Sequence, residues 1–243
     1  MCGIAGLIGT KKYKEKDVRK MINKISYRGP DEQGTIDLED IYLGHARLAV
    51  VDPENGTQPM SNDDNTVWVV FNGEIYNHIE IRNRLIKKGY KFKSRCDTEV
   101  LVHLWREKGI NMLEDLIGMF AFCLWDAKQE KGILVRDRQG IKPCYFTNLK
   151  TGGFAFSSEI KSLLTLDGLN IEIDDIGLNL LHSFNWCPPP RTCYKDIFHL
   201  MPGTYIEFDR NGFQREKKYW EWPLTRDKEE IDLNELNSVL DDA

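Results

Sequence analysis

The stretch from residue 119 to residue 157 constrains the fold most. Four runs rich in Val, Ile, Leu and aromatic residues follow one another there, at 119–127, 132–137, 144–147 and 154–157. Only short connections separate them, whereas a parallel strand pair needs a crossover of a dozen or more residues, usually helical. The spacing therefore predicts an antiparallel meander and excludes a βαβ alternation. Further strands are predicted at 2–9, 41–52 and 66–72, with a hairpin across 205–219 turning at Asn211-Gly212. Gly3, Gly6 and Gly9 in the first strand are spaced for close backbone packing; no strand precedes them, so they are not a dinucleotide loop.

Helices are predicted at 15–26, from Asn77 to Lys88 with a stop at Gly89, and from Asp97 to Gly109. Asn77 and Asp97 are read as their N-caps, and Val100, Leu101, Leu104 and Trp105 as the buried face of the second. Shorter helices are expected from Glu159 and at 175–183. The fold class is α+β, with two antiparallel sheets packed together under helical layers.

The net charge of -5 argues against a nucleic-acid partner. No apolar run is long enough to span a membrane, and no secretory signal pattern is present, so a cytoplasmic location is expected. The six cysteines form no C-x-x-C pair and no His cluster completes a zinc spacing, so no metal or cofactor is expected to bind here.

Cys2 stands apart by position. With Met1 removed it carries a thiol and a free α-amine on one carbon. That amine titrates near ~7.7–8.0, so much of it is neutral around neutral pH. A neutral amine activates an adjacent nucleophile without a histidine. Attack on an amide also needs preorganised N–H donors for the oxyanion. Asn72-Gly73 would supply a side-chain amide and a backbone N–H, though Asn-Gly is equally a hairpin turn. An amino-acid substrate brings a carboxylate, which suits arginine, and an ammonium, which suits a carboxylate. Arg47 lies in an otherwise apolar strand and fits the first need; Glu74 and Asp97 fit the second. Asp97 is also explained as a cap, and Glu74 as an exposed side chain.

In order along the chain stand Cys2-Gly3-Ile4-Ala5-Gly6, Arg28-Gly29-Pro30-Asp31, Gly44-His45-Ala46-Arg47-Leu48 and Phe71-Asn72-Gly73-Glu74-Ile75-Tyr76-Asn77. Asp97-Thr98-Glu99, Gly118-Met119-Phe120-Ala121-Phe122, Arg136-Asp137-Arg138-Gln139-Gly140 with Lys142-Pro143, and Ser157-Ser158-Glu159-Ile160-Lys161 follow. Pro202-Gly203 and Tyr219-Trp220 close the series. This ordered set resembles the class II glutamine amidotransferases, of the N-terminal nucleophile hydrolase fold, and among them the glutaminase domain of glutamine-dependent asparagine synthetases.

The resemblance implies a four-layer αββα sandwich and hydrolysis of glutamine to glutamate and ammonia through a thioester. Cys2 would be the nucleophile and its amine the base, with Asn72 and Gly73 as oxyanion donors. Arg47 would hold the substrate carboxylate, backbone from Leu48, Ala49, Val50 and Val51 would line the pocket, and Glu74 and Asp97 would meet the α-amino end. Arg28–Asp31 would shape or close the site, or serve only as a turn. Cys144 and Met201 stand where the family usually has Leu and Pro, away from these positions.

Residues 1–225 are read as the glutaminase domain, and 226–243 as a linker and the first helix of a synthetase domain absent from this chain. The synthetase pyrophosphate loop, Ser-Gly-Gly-x-Asp-Ser, does not occur, so ATP and magnesium are expected only for that absent domain. The chain is thus expected to be a fragment whose partners are glutamine and the synthetase domain, with a homodimer left open. A silent glutamine-binding module, an acylase or protease of the same fold, and an acceptor other than aspartate are the alternatives.

Overall fold

A computed structural model describes residues 1–223 and 232–241. The expected boundary at 225 and the linker after it fall at 224–231, outside the described residues. Two six-stranded antiparallel sheets face each other. The first has the order β10 (Phe198–His199), β8 (Tyr145–Asn148), β9 (Phe154–Ser157), β1 (Gly3–Ile8), β3 (Ile41–Arg47), β2 (Glu32–Asp37). The second runs β12 (Gln214–Lys218), β11 (Thr204–Asp209), β7 (Lys131–Arg136), β6 (Gly118–Asp126), β5 (Val67–Ile75), β4 (Met60–Ser61).

Both faces of each sheet are covered, which explains why the central strands read as continuous apolar runs. In β6 the two-residue period sends Phe120, Phe122 and Leu124 to a helical layer, and Ala121, Cys123 and Trp125 between the sheets. Between the sheets Trp125 stacks on Phe208 at 5.9 Å, and Phe154 meets Phe208 edge-on at 5.4 Å. Helix α1 (Glu15–Lys24) buries Val18, Met21 and Ile22 on the outer face of the first sheet, beside Leu163 of α5 (Ile160–Leu163). Helices α2 (His78–Lys87), α3 (Thr98–Lys108) and α4 (Met112–Asp115) cover the second. The result is the expected four-layer αββα sandwich.

The strands between 119 and 157 are two hairpins rather than one meander. β6 and β7 belong to the second sheet, β8 and β9 to the first. The chain crosses between sheets at 137–144, and side chains next to the crossing organise it. The Asp137 carboxylate accepts from the backbone N–H groups of Phe120, Gln139, Ile141 and Lys142. Arg136 donates to the carbonyls of Gly140, Lys142 and Leu200.

Other expectations are corrected locally. β3 stops at Arg47 instead of running to residue 52. β5 continues through Asn72-Gly73 to Ile75, paired with β6 throughout, so this Asn-Gly is no hairpin turn. Neither expected N-cap side chain caps its helix. The Asn77 amide bridges Asp115 O and Ile117 N, and Asp97 accepts from Ile75 N at 3.1 Å. α3 is buried from Thr98 to Trp105 on all sides, because α2 and the 90–92 segment cover the side away from the sheet. The hairpin at Asn211-Gly212 has a three-residue loop, with Gly212 at φ +79°. The helix expected at 175–183 forms α6 (Asp175–Phe184), and the tail forms α7 (Leu233–Asp241) with Leu233, Leu236, Val239 and Leu240 exposed.

Close packing at the first-strand glycines is real. A Cβ on Gly6 would stand 2.3 Å from the Phe156 ring, whose exposure is zero. Gly6→Ala is expected to destabilise the fold by about 1–3 kcal/mol, as overpacking does; the denaturant midpoint checks this.

Candidate active site

Cys2 lies one residue before β1, a central strand held between β3 and β9. Its carbonyl accepts from Arg28 Nε at 2.9 Å, and Arg28 Nη1 is paired with Glu159 at 2.7 Å. The thiol lies against the backbone of Leu48, whose N–H points at Sγ from 3.4 Å. Burial pushes the Cys2 thiol up from its ordinary value, while the Leu48 N–H works in the opposite direction. This thiol is therefore protonated near neutral pH and needs a base to become a nucleophile.

Facing it is the free edge of β5. β4 pairs only with Trp68 and Val69. In an antiparallel ladder, backbone groups face the neighbouring strand at alternate residues. Tyr76 N–H bonds to Ile117 O at 2.8 Å, so Asn72 and Glu74 also direct their backbone groups to β6. Phe71, Gly73 and Ile75 direct theirs to the other edge. There Phe71 N–H goes to Gln58 Oε1 at 2.7 Å, and Ile75 N–H to Asp97. The Gly73 N–H between them opens on the cleft. Beside it, the Asn72 side-chain nitrogen is buried with no partner among the described residues. Two unused donors thus share a cleft of about 130 Å3 with the thiol. Leaving such groups unpaired is costly, so an oxygen-bearing ligand has a ready place here. Gly73 admits no side chain, since a Cβ would lie 2.2 Å from Met119 O.

The structure brings nearly all the sequence-derived site residues together. Cys2, Arg47, Leu48, Val50, Val51, Asn72, Gly73, Glu74 and Asp97 all line this cleft. Ala49 does not; its N–H is tied to the Asp31 carboxylate at 2.8 Å. Arg47 is buried, and its guanidinium folds the following loop back by donating to Asp52 O at 2.8 Å and Pro53 O at 2.7 Å. Glu32 stands 3.3 Å from the same guanidinium. Burial pushes the Asp97 carboxyl up, against the hydrogen bond from Ile75 N. Arg28-Gly29-Pro30-Asp31 does not line the cleft but props it from behind: Arg28 holds the Cys2 carbonyl, and Asp31 holds the loop after β3.

Gln58, Thr98 and Lys142 also line the cleft and were not singled out from sequence. Gln58 sits in an irregular stretch with no periodicity to mark it. His45, quoted only within a motif, reaches from β3 across to β5, where Nε2 lies 3.0 Å from Phe71 O. A carbonyl only accepts, so Nε2 carries the proton. Full burial lowers the His45 pKa to about 3. Among the described residues, no group of three His, Cys, Asp or Glu side chains could hold a metal, and no helix is long and apolar enough to cross a membrane.

The chain belongs to the glutamine amidotransferase domain family, whose sequence profile matches residues 1–220. It is 37% identical to asparagine synthetase [glutamine-hydrolyzing] 1 of Bacillus subtilis, over 90% of this chain and 35% of that protein. It is 34% identical to amidase chyE of Penicillium rubens, over 84% of this chain and 30% of that protein. It thus spans about a third of the length of these relatives. The solved glutamine phosphoribosylpyrophosphate amidotransferase of B. subtilis superposes with a TM-score of 0.67 at 18% identity, over 90% of this chain and 49% of that one. That likeness concerns the fold alone, and it agrees with the four-layer αββα sandwich expected from sequence.

His45 gives a pH prediction. Below about pH 6.5 the unfolded chain protonates this histidine, while the folded protein excludes the proton until about pH 3. Its contribution to stability is therefore complete above pH 6.5 and falls as the pH drops through that window, by at most about 1.4 kcal/mol per pH unit. His45→Gln is expected to remove that share of the slope, read from urea midpoints between pH 7 and pH 4.

Proposed function

We propose that this chain hydrolyses the side-chain amide of glutamine to glutamate and ammonia through a thioester on Cys2. The observation that carries the reading is the pair of unspent donors, Asn72 Nδ2 and Gly73 N–H, opening on the cleft of a buried thiol. Because burial keeps the thiol protonated, activation requires a base, and none of the His side chains lines the cleft. The α-amine of Cys2, free once Met1 is removed, fills that need. It takes the thiol proton as sulfur attacks the amide carbon, and the carbonyl electron pair moves to oxygen, facing Asn72 and Gly73. Collapse of this intermediate breaks the C–N bond, and the proton passes from the α-ammonium to the leaving nitrogen, releasing ammonia. Water then attacks the thioester, and the sulfur leaves as glutamate is freed.

Arg47 would receive the α-carboxylate in a pocket lined by Leu48, Val50 and Val51, and Glu74 and Asp97 the α-ammonium; Ala49, expected in that lining, lies outside it. The position of Asp97 at the cleft wall supports its share, since the Ile75 N–H holds it facing the β5 edge. No cofactor is required by these steps. On the strength of its relatives, the chain is proposed to supply ammonia to a C-terminal synthetase domain that forms asparagine with ATP and magnesium. Residues 233–241 would begin that domain. A cytoplasmic setting, and a homodimer if one forms, are consistent with such an enzyme.

The test is glutamate and ammonia release from glutamine by protein whose N-terminal residue is verified by mass as Cys2. Cys2→Ala is expected to abolish turnover. Asn72→Ala is expected to lower kcat about 100- to 1000-fold, as loss of one oxyanion donor does elsewhere. Glutamine binding without turnover by the mature wild-type chain would instead identify a silent module.

A further inference from the structure

The site leaves unexplained how an edge strand with no neighbour is held still where it must present two donors. β4 starts at Met60, opposite Val69, and the strand pairing does not extend to Phe71. Two buried side chains stand in for the absent strand. Gln58 Oε1 accepts the Phe71 N–H at 2.7 Å, while its Nε2 donates to Thr98 Oγ1 at 3.3 Å, next to Asp97. From the first sheet, His45 Nε2 donates to Phe71 O at 3.0 Å. Gln58 is 4% exposed and His45 1%. Both polar groups that Phe71 turns to this edge are thereby fixed one residue before Asn72. On the other flank Ile75 N–H is fixed by Asp97.

We propose that Gln58 and His45 are positioning residues for the oxyanion donors, clamping Phe71 so that the Asn72 amide and Gly73 N–H are aimed before substrate arrives. The inference rests on the reading of Asn72 and Gly73 given above. The clamp is polar on both sides and touches no reacting atom. Its loss should therefore cost transition-state stabilisation more than ground-state binding. His45 suits the task because its depressed pKa keeps it neutral, with the proton on Nε2 across the working range.

The experiment compares wild type, Gln58→Met, His45→Phe and His45→Gln, all with verified N-terminal cysteine. Three readouts are taken: glutamine kinetics, alkylation of Cys2 by iodoacetamide, and competitive inhibition by glutamate γ-semialdehyde. The Cys2 S–H adds across the aldehyde C=O, forming a C–S bond and a hemithioacetal whose oxygen takes the place of the oxyanion. Gln58→Met and His45→Phe are expected to lower kcat about 10- to 100-fold, as small misplacement of catalytic groups does. KM should stay within about threefold of wild type, the pattern of an interaction realised in the transition state. Aldehyde affinity should fall in proportion to kcat/KM, and the alkylation rate should hold. His45→Gln, which restores a donor, should recover most of kcat, and it remains informative if His45→Phe does not fold.

Unchanged kcat or unchanged aldehyde affinity in Gln58→Met would overturn the inference. So would alkylation falling in step with kcat, which marks a general collapse of the site, or a His45→Gln variant as impaired as His45→Phe. Ammonia from wild type with any of these results sinks the clamp alone, whereas no ammonia from mature wild type sinks the proposed activity and the clamp together.

Discussion

The early end of β4 is the constraint on which the rest of the site depends. A sheet edge normally exposes a row of unmet donors and acceptors, a liability that proteins shield. Here the second sheet ends in a strand of two residues, Met60 and Ser61, and the longer β5, paired with β6 along its other side, runs on past it. Side chains rather than a strand meet most of that exposed edge, and the Gly73 N–H is left over. A full-length β4 would satisfy that N–H and close the cleft. The chemistry therefore begins with a shortage of backbone partners, placed where the opposite sheet brings a thiol.

Burial then sets the character of the groups around that shortage. It raises the Cys2 thiol and the Asp97 carboxyl and lowers His45, in each case favouring the uncharged form. The Arg47 guanidinium is met by the carbonyls of Asp52 and Pro53 and by Glu32. Arg47, Glu74, Asp97 and Lys142 line the same cleft as the thiol, so charged side chains surround it without adding a histidine. A residue that carries its own amine suits such a place, since no second buried base has to be kept deprotonated.

Much of this was legible from sequence where local rules operate. Short connections gave antiparallel strands, although the one meander expected there is two hairpins in different sheets. Cys2 and Arg47 stood out because each is out of character for its surroundings, whereas Asn72 and Asp97 were picked out by the needs of the chemistry and by the ordered motifs around them. What escaped notice depends on contacts distant in the chain. The crossing at 137–144 looks like any turn until Arg136 is seen reaching Leu200 O. Asp97 reads as an N-cap because its local sequence is that of a cap, yet its carboxylate goes to Ile75, 22 residues away. β2 is polar and half exposed, so no apolar alternation announces it. Gln58 is invisible for a plainer reason: glutamine in a loop is ordinary until its neighbour across space lacks a strand.

The central place of β1 has a consequence in time. Its two partners are β3, complete by Arg47, and β9, which begins only at Phe154. Ser158 Oγ then accepts from Ile4 N, and Ser158 N–H bonds to Ile4 O, across a separation of 154 residues. Contacts so distant form late, and a chain emerging from the ribosome lacks them until most of it has been made. Until then the strand behind Cys2 has at most one neighbour, and the first residues stay within reach of solvent and of processing enzymes. The topology that finally packs Cys2 beside β3 and β9 thus also leaves a long interval during synthesis in which Met1 would be within reach of removal.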